Sequence, residues 1–226
     1  MAIDTSLARG SVAAFDGTRV AEVRFAPAQA HARRVAAALE EATAALGWRV
    51  ADAAVVAVVR GPGSFTGLRV GTSAAKGLAW AAGIPLVAVS GFEVVAVAAG
   101  AHHEPVHAAF DAGRGDVVAA VIVPDRGSPT GRSVGPARLI PLAEWIASLP
   151  AGAVVTGPAL DLLPSVAADR PDLRLVADEA RHPSAAAVAR LAALLAAAGR
   201  FVDPAELVPD YCRPSYAQEN ASHPSR

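Results

Sequence analysis

Three short stretches of this sequence have the residue types and spacing for chemistry. His103-Glu104-Pro105-Val106-His107 spells H-E-x-x-H. In zinc peptidases that pattern works on a helix, where both histidines face one metal and the glutamate activates water. Pro105 breaks a helix, and the residues from Val106 onward read as a strand, so the pattern reads as a polar link. Ser73-Ala74-Ala75-Lys76 spells S-x-x-K, but the penicillin-recognising enzymes also need a Lys-Thr-Gly, and Lys76 is the only lysine. The third stretch is Arg60-Gly61-Pro62-Gly63-Ser64-Phe65-Thr66-Gly67-Leu68-Arg69-Val70-Gly71, a strand end, a tight glycine loop and a helix start.

Such a loop exposes backbone N–H groups at the positive end of a helix dipole, which suits an anion. It is not a P-loop, because no Gly-Lys-Ser/Thr follows the glycines. Nor is it a dinucleotide fingerprint, because the glycine spacing differs. The helix after it carries a second pattern. Gly67, Gly71, Ala75 and Ala79 recur every four residues and make one smooth stripe. Glycine inside a helix costs about 1 kcal/mol relative to alanine, and a close backbone contact along the stripe would offset it. That contact is either the chain's own sheet or a partner helix.

The elements that position these residues can be read from periodicity. Residues 10–15 and 19–25 alternate around Asp16-Gly17, a hairpin signal, after a first apolar run ending at Asp4-Thr5-Ser6. Val35, Leu39, Ala42 and Leu46 share a helical face over 31–46. Residues 53–59 make a strand buried on both sides, 66–82 a helix, 86–89 a strand and 92–99 a helix. The first-lobe order is therefore β-β-β-α-β-α-β-α, not a plain Rossmann unit. A polar break at 101–105 puts a lobe boundary near residue 104, giving lobes at 1–104 and 105–226. In the second lobe, 106–111 and 117–123 read as strands, 124–136 as a proline- and glycine-rich loop, and 142–149 as a helix. Residues 153–156 and 173–176 follow as strands and 184–199 as a helix capped by Ser184, with a frayed tail after about 214.

The bulk numbers narrow the function. The 226 residues support a real core, more than half are hydrophobic, and the formal net charge is −1. A polybasic nucleic-acid binder is excluded. Cys212 is alone, so no internal disulfide forms, and a reducing cytoplasm is the expected location. No apolar run reaches the roughly 18 residues of a membrane span.

The motifs resemble a known family. Ala2-Ile3-Asp4-Thr5-Ser6, Gly10-Ser11-Val12-Ala13, the glycine block 61–71, Gly77-Leu78-Ala79, Asp111-Ala112-Gly113-Arg114-Gly115-Asp116-Val117 and Pro209-Asp210-Tyr211-Cys212-Arg213 fall in the order found in TsaB (YeaZ) proteins. Cys212 stands where that family has leucine, and the chain starts a little short of the pattern. The resemblance covers about residues 1–213, and the glycine block is its most specific part.

The resemblance implies an α/β, two-lobed, actin-like (ribonuclease H-like) fold. It implies a non-catalytic subunit that supports a TsaD-type catalytic partner in bacterial tRNA threonylcarbamoyladenosine formation. A TsaE-type ATPase joins the pair, the lone protein forms a homodimer, and tRNA is met through the complex. The expected partner surface lies on the first two helices, at His31, Val35, Leu39, Gly67, Leu68, Gly71, Ala75, Leu78 and Ala79. In actin-like ATPases a first-strand Asp lies near phosphate-bound metal, so Asp4, Thr5, Ser6, Gly61, Gly63 and Ser64 form the candidate vestigial nucleotide or anion site. The bland reading is that Asp4 stabilises its own turn. No catalytic residue, metal or resident cofactor is expected, beyond a weakly held nucleotide at the lobe junction or complex interface. The rival reading is a free-standing actin-like phosphotransferase or metallopeptidase.

Overall fold

The computed structural model describes residues 1–25, 31–101, 103–163 and 166–211. The first lobe opens with the meander β1 (Ala2–Asp4), β2 (Ser11–Phe15) and β3 (Val20–Arg24), followed by α1 (His31–Ala45), β4 (Val56–Gly61), α2 (Phe65–Ala82), β5 (Leu86–Ser90) and α3 (Gly91–Ala98). This is the order read from periodicity. The hairpin turn is held by Asp16, whose carboxylate accepts from the N–H groups of Thr18 at 3.1 Å and Arg19 at 2.8 Å. The sheet runs β3-β2-β1-β4-β5, with β1 antiparallel to β2 and parallel to β4.

Side-chain alternation divides this sheet into two faces. Ile3, Val12, Val56, Val58 and Leu86 meet Val35, Leu39, Ala75 and Ala79 of α1 and α2. On the other face, Ala2, Ala13, Ala57, Val59 and Val87 meet Val94 of α3 and an alanine-rich helix from the far end of the chain.

The second lobe contains β6 (Val106–Gly113), β7 (Asp116–Pro124), β8 (Arg132–Val134), β9 (Arg138–Pro141), α4 (Leu142–Ser148), β10 (Val154–Thr156), α5 (Val166–Asp169) and β11 (Arg174–Leu175). Its sheet runs β11-β10-β6-β7-β8, and β9 also pairs with β7. Each sheet has its first strand at the centre, the hairpin on one side and the parallel strands on the other. The two lobes therefore share one topology, the ribonuclease H-like arrangement of the actin-like fold, although no sequence period marks it. The stretch 124–136, expected as loop, contains β8, paired through Ile122–Val134 and Pro124–Arg132.

The last helix, α6 (Ala185–Ala197), corrects the division at residue 104. Sequence order places it in the second lobe, yet it covers the first sheet. Its buried face is Ala185, Val188, Ala189, Leu191 and Ala192, small enough to lie close on Ala2, Ala13 and Ala57. Its N-terminus is pinned there. Ser184 Oγ caps Ala187 N at 3.2 Å, Ala185 N donates to Ser11 Oγ at 2.9 Å, and Ala186 N donates to Glu22 Oε1 at 3.1 Å. A strap then runs back along the first lobe. Val202 bridges Leu86, Leu207 is buried in the core under α2, Lys76 Nζ donates to Leu207 O at 2.8 Å, and Asp210 N donates to Arg60 O at 2.7 Å. Cys212 and Arg213 lie outside the described residues.

Candidate functional site

The glycine loop and the start of α2 lie directly against the end of β1. Ser64 N donates to Ser6 O at 2.7 Å, and Thr5 Oγ1 donates to Gly67 O at 2.7 Å. The glycines make this approach possible. A Cβ on Gly63 would sit 2.5 Å from Ser6 O, one on Gly71 would sit 2.5 Å from Thr5 Oγ1, and one on Gly67 would overlap Thr5 O. On the other side of the loop, Gly61 lies equally close to the carbonyl of Asp210 in the strap. The helix end is capped from within, by Ser64 Oγ accepting from Gly67 N at 3.1 Å.

Two expectations change as a result. Residues 4–6 and 61–64 do come together, but by backbone packed on backbone, so the loop's glycines are accounted for without an anion. Asp4 is buried, and its Oδ1 accepts from Ser6 N at 2.9 Å and Ser6 Oγ at 2.7 Å. That is the turn-stabilising role. The small-residue stripe is likewise an internal seam. Gly67, Gly71, Ala75 and Ala79 are buried against β1 and β4, and Leu68, Val35 and Leu39 are buried beside them. Leu78 is partly buried at the same core, and the side chain of His31 lies outside the described residues. An amphipathic helix gives its smallest side chains to the face that must lie closest to a sheet, and α2 follows that rule.

The surface that remains open is the opposite face of the same two helices. On α2, Thr66, Arg69, Ser73, Gly77 and Trp80 are exposed, and Trp80 is 84% exposed. On α1, Ala36, Ala37, Glu40, Glu41 and Ala44 are exposed. At the N-terminal end of α2, Arg69 lies over the Phe65 ring at 3.9 Å and donates to Tyr211 Oη at 2.9 Å, and the Phe65 and Tyr211 rings are 4.9 Å apart. The strap thus adds an aromatic residue to the edge of the α2 surface. Sequence reading missed Trp80 and the contact of Tyr211 with α2. Trp80 had a signal, since it lies at helical spacing from Ser73 and Gly77 on the side opposite the small stripe; Tyr211 stood out only as part of the Pro209–Arg213 motif, and nothing local joins it to α2.

The other chemical patterns separate. Glu104 makes a bidentate pair with Arg174 at 2.7 and 2.9 Å, which holds its carboxyl below the usual glutamate range. His103 lies in a turn and His107 on β6, where burial lowers its pKa. Among the described residues no group of three His, Cys, Asp or Glu is placed to hold a metal ion. Ser73 is exposed, while Lys76 is engaged by the strap. Among the described residues no helix is long and apolar enough to cross a membrane.

Comparison with known proteins agrees with this architecture. Residues 25–137, half of the chain, match the family model described as TsaD, tRNA N6-adenosine threonylcarbamoyltransferase. The chain is 34% identical over 128 residues to the tRNA threonylcarbamoyladenosine biosynthesis protein TsaB of Haemophilus influenzae, covering 56% of this chain and 54% of that protein. It is 38% identical over 99 residues to the protein of the same name from Bacillus subtilis, covering 43% and 42%. The chain thus spans about half the length of the curated relatives it matches. Over the fold, YeaZ from Pseudomonas aeruginosa superposes with a TM-score of 0.76 at 25% identity, covering 93% of this chain and 97% of that one. The glycine loop on β1, the duplicated sheet topology and these matches together place the chain in the TsaD-type family, and within it the chain belongs to the TsaB (YeaZ) group.

Proposed function

We propose that this chain is a non-catalytic subunit in tRNA threonylcarbamoyladenosine formation in the cytoplasm, pairing with a TsaD-type catalytic subunit. The observation that carries the reading is the outer face of α1 and α2. Trp80 is 84% exposed on a helix whose outward neighbours Ser73 and Gly77 are small. A bulky aromatic beside small residues leaves room for a partner helix and supplies an anchor for it, the usual form of a binding hot spot. The contact surface is Ala37, Glu40 and Glu41 on α1 with Ser73, Gly77 and Trp80 on α2. It replaces the inward-facing residues expected from the sequence. The same face serves a second copy of the chain when no partner is present. A TsaE-type ATPase joins the pair, and tRNA is met through the complex.

The internal capping of the glycine loop supports a role without chemistry of its own. Asp4 and Ser64 are used in the fold, and among the described residues no set of acids, bases and nucleophiles converges around them. The test is co-purification with the TsaD-type protein of the same organism, and a tRNA modification assay with and without this chain. Modification that requires this chain, lost with Trp80→Glu while the variant stays folded, supports the reading. Modification that proceeds equally without this chain overturns it.

A further inference from the structure

A second site opens beside the start of the glycine loop, at Arg60, Gly61 and Pro62, where the open edge of the first sheet meets the open edge of the second. It is a cavity of about 860 Å³ between β5, the first turn of α3, the segment from β7 to β9, and the strap after α6. This is within the size range of small-molecule pockets. Apolar groups line part of it, among them Leu139 and the half-exposed ring of Phe201.

The charged groups in its wall balance in number, Arg60, Arg132 and Arg200 against Glu93, Asp125 and Asp210, but not in pairing. Arg60 is taken by Asp210 at 3.0 Å, and Asp125 Oδ1 accepts from Gly127 N at 2.9 Å within its own loop. Glu93 accepts from Ser90 N at 3.3 Å, with Arg200 close enough to act on its charge. Arg132 is the unmatched group. It is 3% exposed, one terminal nitrogen donates to Ala101 O, and Nη1 has no acceptor among the described residues. Burial disfavours its charged form. An arginine this buried with an unmatched donor is destabilising unless something supplies an acceptor, because guanidinium loses its hydration and gains nothing for it.

We propose that this edge cavity binds a small organic anion, with a carboxylate or phosphate group held between Arg132 and Arg200 and a flat apolar body against Phe201 and Leu139. The arrangement suits such a ligand in both parts. Guanidinium groups meet planar carboxylate or phosphate oxygens through paired donors, and an exposed ring next to an arginine offers a stacking surface. The site differs from the proposed partner face, since none of Ala37, Glu40, Glu41, Ser73, Gly77 and Trp80 lines it, although Tyr211 borders both.

The experiment is amide NMR titration of the full chain with three probes: 2-naphthoate, adenosine 5′-monophosphate and uncharged adenosine. Shifts at residues 127–135 and 200–202 with either anion, and none with adenosine, are expected. Naphthoate alone would assign a carboxylate ligand and the monophosphate alone a phosphate ester. Arg200→Gln, an exposed substitution that leaves the fold intact, weakens binding about tenfold, as expected for one charge-assisted hydrogen bond. Arg132→Gln does the same or more, with folding checked by circular dichroism. No shift with either anion at millimolar concentration, or equal affinity in Arg200→Gln, overturns the proposal and leaves Arg132 matched by water alone.

Discussion

The main-chain carbonyl of Thr5 fills the space that a Cβ at position 67 would need. Gly67→Ala therefore drives α2 off the end of β1 and disturbs the Thr5 Oγ1 to Gly67 O hydrogen bond. The expected loss is about 2–3 kcal/mol, in the range of overpacked core sites. Urea unfolding measures it directly, and a variant as stable as the parent would contradict the internal seam.

Gly77 gives the opposite sign on the same helix. Nothing lies within 4 Å of a Cβ built there, and its backbone is helical. Gly77→Ala gains about 0.5–1 kcal/mol from helix propensity and reduced unfolded-chain entropy. A rise in unfolding midpoint for this variant, against a fall for Gly67→Ala, separates the outer face of α2 from the inner one in a single assay.

Trp80→Ala tests the partner face. The side chain touches little of its own chain, so stability changes by less than about 0.5 kcal/mol. Affinity for the TsaD-type subunit falls by about 2 kcal/mol, or roughly thirtyfold, if Trp80 anchors the contact. Calorimetry with the partner decides it; unchanged affinity moves the interface elsewhere.

Leu207→Ala tests the strap. Leu207 is 7% exposed and packs in the core under α2, far in sequence from every other member of that cluster. Truncation costs about 2–4 kcal/mol, with the spread set by how far the strap collapses into the gap. A cost near zero in chemical denaturation would show that the strap lies on the surface without holding it.

Glu93 gives a pH dependence. Burial raises its pKa, and the Ser90 N–H, the Arg60 and Arg200 charges and the Thr130 hydroxyl only partly oppose this. The folded chain thus binds the proton more tightly than the unfolded one. Glu93 contributes stability below the ordinary glutamate range that is lost as pH rises through the raised value. Glu93→Gln removes that loss. The unfolding midpoint of the variant relative to the parent rises between pH 4 and pH 7, the ordinary glutamate pKa being about 4.3. A difference that is flat or falling over that interval contradicts the raised pKa.

Much of the first lobe was legible because its signals are local. Asp16-Gly17 marks a turn whatever surrounds it, and Val35, Leu39 and Ala42 set a helical face by spacing alone. Which way the small stripe of α2 faces was not legible. Gly67, Gly71, Ala75 and Ala79 satisfy a partner helix and a home sheet equally well, and only the position of Thr5 decides between them. The place of α6 was hidden for a similar reason. An alanine-rich face fits any close-packed surface, and the complement in Ala2, Ala13 and Ala57 lies at the other end of the chain. β8 was hidden because Gly127, Pro129, Gly131 and Gly135 punctuate the sequence around a strand of three residues. Arg132, in that strand, looked like any surface arginine until the fold buried it.

The return of α6 to the first sheet has a consequence for biosynthesis. The sheet face built from Ala2, Ala13, Ala57 and Val87 is covered by Val188, Ala189 and Leu191. Translation delivers those residues only after the whole second lobe. The half of the molecule that leaves the ribosome first is therefore completed last. Until then the nascent chain carries an apolar sheet face covered by α3 alone, a surface of the kind that chaperones hold.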